Sequence, residues 1–233
     1  MSSTITTRLD EDQEPQDGSA GVARSEPGGR AQRRAGAVID RAGQVAALVR
    51  SAPPEDTIVV LGGDCTVGVG TVAGLRHLVE RLGLVYVDRH ADLNVPDSTL
   101  DGALDWMGVA HMLDIDGAVD GLAALAGHRP MLSSEQIGFL GLGPHTDFEA
   151  EVLADRRLPV VDVQMAASDP LRSARAALSP LSACDGLAVH FDVDFVDFLD
   201  APLAENTDRG IAPSLTAKYS ASYSPTPACG HSP

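Results

Sequence analysis

Three short clusters of side chains carry the chemistry of this sequence. They are Gly62-Gly63-Asp64-Cys65-Thr66, Asp88-Arg89-His90-Ala91-Asp92, and Asp192-Val193-Asp194. In extended chain, residues two apart point to the same side. Asp88, His90 and Asp92 are therefore expected to face one point, and Asp192 and Asp194 to do the same. Four carboxylates and an imidazole gathered in this way repel one another, since like charges about 4 Å apart cost several kcal/mol at intermediate dielectric. Divalent cations resolve the conflict. A carboxylate-rich set with one imidazole suits a hard ion such as Mn²⁺. Either acidic cluster alone also reads as a solvated loop or a helix cap. The joint pattern is more specific, because all three clusters follow predicted strands.

Those strands must do the positioning. Thr57–Leu61, Leu84–Val87, Gln136–Leu142, Val160–Val163 and Leu187–Phe191 read as short, nearly continuous apolar strands. Helical stretches are predicted over Gly36–Ser51, from Thr66 toward Leu82, and over Asp105–Leu113, Glu149–Ala154 and Leu171–Ala177. Apolar strands alternating with helices point to an α/β fold, a mainly parallel sheet covered on both faces in three layers. In open parallel sheets, ligand sites form at the carboxyl ends of the strands, so one rim can gather all three clusters. Residues 1–33 are polar, without an apolar period, and are expected to form a poorly anchored arm. The domain is expected over 34–217. The stretch 218–233 is small, polar and Pro-rich and is expected to be an irregular tail.

Bulk properties narrow the function. The chain has 233 residues and a formal net charge of −16, which repels nucleic acid and anionic membrane and favours a cationic substrate or a metal. Its three cysteines, Cys65, Cys184 and Cys229, are too sparse for a disulfide framework. No secretory leader and no membrane-length apolar run is read from the sequence, so a cytoplasmic location is expected. Gly68-Val69-Gly70-Thr71-Val72-Ala73-Gly74 opens a predicted helix after a strand. Its spacing departs from the dinucleotide fingerprint, and no Lys-Ser/Thr follows for a P-loop.

The clusters resemble the motifs of the arginase–agmatinase (ureohydrolase) family, which run GGDHS/T, DAHxD and SxDxDxxDP. The third motif is matched here by His190-Phe191-Asp192-Val193-Asp194-Phe195-Val196-Asp197-Phe198. The resemblance covers roughly residues 36–217. It implies two Mn²⁺ ions sharing a hydroxide that attacks a guanidinium or amidine carbon. By that resemblance one metal is held by Cys65, Asp88, Asp92 and Asp192, and the other by His90, Asp88, Asp192 and Asp194. Asp92 also orients the hydroxide. Asn94 matches a family residue that binds the amino-acid end of the substrate. Glu149 falls near residues that bind its α-amino group. The resemblance further implies a small guanidino substrate and a homo-oligomer, a trimer or hexamer.

The sequence departs from the family pattern in several places. Cys65 stands where the family usually has a His ligand, and a thiolate prefers Zn²⁺ or Fe²⁺ to Mn²⁺. A subset that resembles N-hydroxyarginine hydrolases carries Cys there. The segment Asp101-Gly102-Ala103-Leu104-Asp105 replaces SGNxH, so Asp105 takes the place of the His that shuttles protons. Agmatinase, guanidinobutyrase or formimidoglutamase activity are the alternatives within the family, and an inactive truncated member is a third. Both ends read as incomplete: no opening strand is seen in residues 1–33, and after Lys218 the family's closing elements are missing.

Overall fold

A computed structural model describes residues 2–6, 29–53, 55–100 and 102–202. Its elements are β1 (Ser2–Thr6), α1 (Gly29–Arg50), β2 (Thr57–Leu61), α2 (Thr66–Leu75), β3 (Leu82–Val87), α3 (Gly108–Met112), α4 (Asp120–Ala123), β4 (Ile137–Leu142), α5 (Asp147–Asp155), β5 (Val160–Asp162), α6 (Val163–Ser168), α7 (Pro170–Leu178) and β6 (Gly186–Phe191). Short 3₁₀ turns at Leu104–Met107 and Val193–Phe195 complete the set used below. The α/β class and its five predicted strands are present.

The main sheet has the order β5-β4-β3-β6, and its strand pairs are parallel. Every residue of β3 and β4 is buried. Alternation then sends side chains into two separate cores. Leu82, Leu84 and Tyr86 of β3 pack with residues of α2, α3 and α4 on one face. Val85 and Val87 pack with Ala166, Ala174 and Ala177 of α6 and α7 on the other. The sheet is thus covered on both faces, as continuous apolar strands require.

Three features differ from the sequence reading. Ser2–Thr6 is a strand, β1, paired in parallel with β2, where no strand was expected in residues 1–33. Its Thr and Ile suit a pleated backbone, and β2 offers it an open edge. Helix α1 starts at Gly29, ahead of the apolar period, because Arg30-Ala31-Gln32-Arg33-Arg34-Ala35 are good helix formers. The stretch expected as one helix over Asp105–Leu113 is a 3₁₀ turn followed by α3, with Met107 at the break outside helical geometry. Residues 7–28 of the expected arm and the expected tail, 218–233, lie outside the described residues.

The sheet is also divided. β1 and β2 form a two-stranded sheet of their own. Between β2 and β6 lies a cleft of about 1110 Å³, lined along one side by Ile58 and Val60 and along the other by Leu187 and Val189. Helix α2 ties β2 to the rest of the molecule. It presses on α1 through Gly70 and Gly74. A Cβ on Gly70 would collide with the carbonyl oxygen of Ala42, and one on Gly74 would stand 2.6 Å from Val49. The glycines of the Gly68–Gly74 run thus serve close helix packing.

Among the described residues, no helix is long and apolar enough to cross a membrane.

Gly141 anchors the turn that carries Asp192 and Asp194. Its φ is +99°, in the region that favours glycine. The ring of Phe195 lies where its Cβ would be. Gly141→Ala is expected to destabilise the fold by about 3 kcal/mol or more, combining backbone strain with overpacking. Urea unfolding monitored by circular dichroism measures this. A change below about 1 kcal/mol would show that the Phe195 turn repacks freely.

Candidate metal centre

The pairing of β3 with β6 sets the centre. Tyr86 stands opposite His190, and Val87 opposite Phe191. The next residues in each chain, Asp88 and Asp192, therefore leave the sheet side by side. The backbone N–H of Asp192 still donates to the Val87 carbonyl at 2.9 Å. Cys65 arrives from the other sheet, as the residue before α2.

Beyond the strands the chain is no longer extended, so side-chain direction does not follow simple alternation. Asp88 Oδ1 accepts from its own His90 N–H at 2.7 Å, and Asp192 Oδ1 accepts from Asp194 N–H at 2.9 Å. Asp92 has φ +50°, a left-handed conformation that Asp tolerates. These local turns decide which side chains meet.

Two groups result, with Asp88 in both. In the first, Cys65, Asp88, His190 and Asp192 bring their donor atoms within 4.8 Å of one another. Cys65 Sγ lies 3.1 Å from Asp192 Oδ2 and 3.9 Å from Asp88 Oδ2. His190 Nε2 is 3.8 Å from the same Asp88 Oδ2. In the second, Asp88, His90 and Asp194 converge. His90 Nδ1 is 3.0 Å from Asp194 Oδ2 and 3.6 Å from Asp88 Oδ1. The two oxygens of Asp88 thus face different groups, the arrangement that a carboxylate bridging two cations needs. The first group opens onto the β2–β6 cleft.

The electrostatics fit cations. Burial pushes the Asp88 carboxyl up to about 7, with the charges of Asp194 and Asp192 adding to the rise and His90 opposing it. Burial also raises Asp92 well above the usual carboxylate range, and the charge of Asp88 adds to it. The Cys65 thiol is pushed up by burial and by the charges of Asp92, Asp88 and Asp192. Hydrogen bonds to Asp194 and Asp88 hold the His90 imidazole up to about 11. His190 goes the other way. Burial lowers it to about 4, so its ring is neutral at pH 7, the form in which imidazole ligates. Its Nε2 is buried and, among the described residues, has no hydrogen-bond partner. An orphaned nitrogen beside a thiol and two carboxylates is the chemistry of a metal donor set.

The predicted site residues take differing places in the structure. Cys65, Asp88, His90, Asp192 and Asp194 come together. Asp92 stands beside them, but its Oδ2 accepts from the Tyr86 hydroxyl, and it belongs to neither group. Asp105 is half-buried in the first turn of the Leu104–Met107 helix. The next residue, Trp106, lies over the His90 ring with centroids 6.4 Å apart. Asn94 is buried, its Oδ1 accepting from Ser98 Oγ at 3.0 Å and from Thr146 Oγ1 at 3.1 Å. Glu149 is buried rather than on the helix surface. Its Oε2 accepts from Thr146 N–H at 2.9 Å and its Oε1 from Leu93 N–H at 3.3 Å, closing a capping box at the start of α5. Asn94 and Glu149 thus meet through Thr146.

The sequence reading missed His190 and Tyr86. Both sit on strands as apparent core residues. The one signal was a His where the family motif has Ser. In the fold their rings stack at 4.2 Å with planes 4° apart, so Tyr86 holds the His190 ring in place while its hydroxyl reaches Asp92.

Comparison with known proteins gives the family and the fold. The family model described as "Arginase family" matches residues 29–210. An arginase of Bacillus subtilis is 29% identical over 145 residues, which cover 62% of this chain and 48% of the relative. Human arginase-1 is 27% identical over 162 residues, covering 68% and 49%. The chain spans about half the length of these relatives. A crystal structure of arginase from Bacillus subtilis superposes with TM-score 0.73 at 26% identity, covering 78% of this chain and 65% of the other. A formimidoylglutamase structure from the same species shares the fold, with TM-score 0.61 at 16% identity over 78% of this chain and 53% of the other.

The Tyr86 hydroxyl is the donor that Asp92 keeps in its buried position. Tyr86→Phe leaves that carboxylate without it and is expected to cost about 1–3 kcal/mol of stability, while the stack on His190 is retained. Guanidinium unfolding of the variant checks this. An unchanged midpoint would mean that Asp92 finds another donor.

Proposed function

The chain belongs to the arginase family, and from that premise we propose that it hydrolyses a C–N bond of a guanidino compound of the arginine or N-hydroxyarginine type, releasing urea or hydroxyurea. The observation that supports this most is the pair of donor groups sharing Asp88. One cation would be held by Cys65, Asp88 and Asp192. The other would be held by Asp88, His90 and Asp194, a set suited to Mn²⁺. When bound, such a pair supplies positive charge and a water deprotonated near neutral pH.

The chain's own residues do the rest. Asp92 orients the attacking water from its place beside both groups, fixed there by Tyr86. The oxygen adds to the guanidinium carbon, the bond to the substrate's chain nitrogen breaks, and that nitrogen leaves as an amine once protonated. Asp105 is the proposed proton carrier. A carboxylate there takes the place of the imidazole that the family motif has. The acidic chain favours the approach of a cationic guanidinium.

One observation favours a second reading. Asn94 Oδ1 and both Glu149 oxygens are engaged within the protein, which leaves them poorly placed to grip an amino-acid end. A guanidino compound without that end, of the agmatine or guanidinobutyrate type, would need neither. Asn94 and Glu149 would then be positioning residues that shape the loop after Asp92.

A turnover screen with arginine, N-hydroxyarginine, agmatine and guanidinobutyrate separates these readings, using metal-supplemented protein and assays for urea and hydroxyurea. Asp88→Ala is expected to lose both metal and turnover. Asp105→Asn is expected to lower kcat about 100-fold with little change in KM. Full metal content with no turnover of any of the four compounds would sink the hydrolase reading.

A further inference from the structure

The two donor groups differ in kind. The second offers oxygen and one imidazole. The first offers the sulfur of Cys65, the nitrogen of His190 and oxygens from Asp88 and Asp192. The family motif has His where this chain has Cys65, and Ser where it has His190. The fold brings these two changed positions together: Cys65 Sγ is 3.9 Å and His190 Nε2 is 3.8 Å from one atom, Asp88 Oδ2. One imidazole is lost from the loop before α2, and one is regained from β6, across the cleft.

The His190 ring is built into this position. Tyr86 stacks on its face. Gly68 of α2 leaves room for its other edge, since a Cβ there would stand 2.9 Å from Nδ1. The ring nitrogen facing Asp88 is buried without a hydrogen-bond partner among the described residues, a costly state for a polar atom unless something else satisfies it. A cation would do so.

We propose that the centre is heterodinuclear: Cys65, Asp88, His190 and Asp192 hold Zn²⁺, while Asp88, His90 and Asp194 hold Mn²⁺. The assignment rests on the two-cation reading of the site. Its chemistry follows from donor softness. Thiolate and imidazole suit Zn²⁺, which takes four S, N and O donors, whereas carboxylates with little else suit Mn²⁺. His190 is thereby a metal ligand, and Tyr86 and Gly68 are its positioning residues.

The test is metal content of the full chain after loading with one equivalent of Zn²⁺ and about tenfold excess Mn²⁺, then dialysis. About one of each per chain is expected, with an electron paramagnetic resonance spectrum of isolated Mn²⁺. Co²⁺ in place of Zn²⁺ should give a thiolate-to-metal charge-transfer band in the unmutated protein, which needs no variant to fold. His190→Ala should weaken Zn²⁺ binding about 100-fold or more and leave the Mn²⁺ in place. The double change Cys65→His with His190→Ser should instead take two Mn²⁺ ions, with a coupled spectrum. Two Mn²⁺ ions in the unmutated chain, no cobalt–thiolate band, or Zn²⁺ affinity within about twofold in His190→Ala would overturn the assignment and leave the family hydrolase reading standing. No metal at either position would overturn both.

Discussion

Mutual repulsion among Asp88, Asp92, Asp192 and Asp194 is the constraint around which this rim is organised. All four leave two adjacent strands, or the loops that follow them, within a few residues, and Asp88, Asp92 and Asp194 are buried. Charges so placed cannot be left bare. Each has a specific counterweight. Asp88 and Asp192 accept backbone N–H bonds from the turns they start. Asp92 takes the Tyr86 hydroxyl. Asp194 shares His90 with Asp88. The turns that supply these donors also redirect the side chains, so charge balance and ligand geometry arise from one set of hydrogen bonds.

The strands and acids of this centre were readable from sequence because their signals are local. A run such as Leu84–Val87 announces a buried parallel strand, and acids at its end announce a rim. What alternation could not supply was direction after the strand ends. Asp92 was expected to face one point with Asp88 and His90; it stands beside both donor groups, with a left-handed backbone and its Oδ2 on the Tyr86 hydroxyl. His190 and Tyr86 were missed because an aromatic or His inside an apolar run reads as core. Their importance comes from the β3–β6 register, a long-range property. The glycines of α2 carried a motif-like spacing whose use depends on where α1 crosses. β1 was invisible for a related reason: a short hydroxyl-rich segment is a strand only because β2 presents an edge to it.

The loop after Asp92 shows how support and function share atoms. Asn94, Ser98, Thr146 and Glu149 form one hydrogen-bonded unit that joins the loop after Asp92 to the start of α5. Glu149 closes the capping box of that helix and holds the Leu93 N–H. A carboxylate with both oxygens engaged in this way rigidifies the backbone next to Asp92. The identity of the residue at 149 thus matters to the site through the chain's path, independently of what the substrate carries.

The division of the sheet gives Cys65 a position unlike that of the other donors. Asp88, His90, His190, Asp192 and Asp194 all stand on or beside the four-stranded sheet. Cys65 rides on β2 and α2, across the cleft. β2 shares no ladder with β6, and its side of the molecule keeps a small core of its own around Val45, Val49 and Val67. The distance from Cys65 Sγ to Asp192 is therefore a measure of how closely the two banks approach. A cation gripping both sides works as a rivet. By linkage, whatever pries the banks apart weakens the rivet by the same free energy with which the rivet resists the prying.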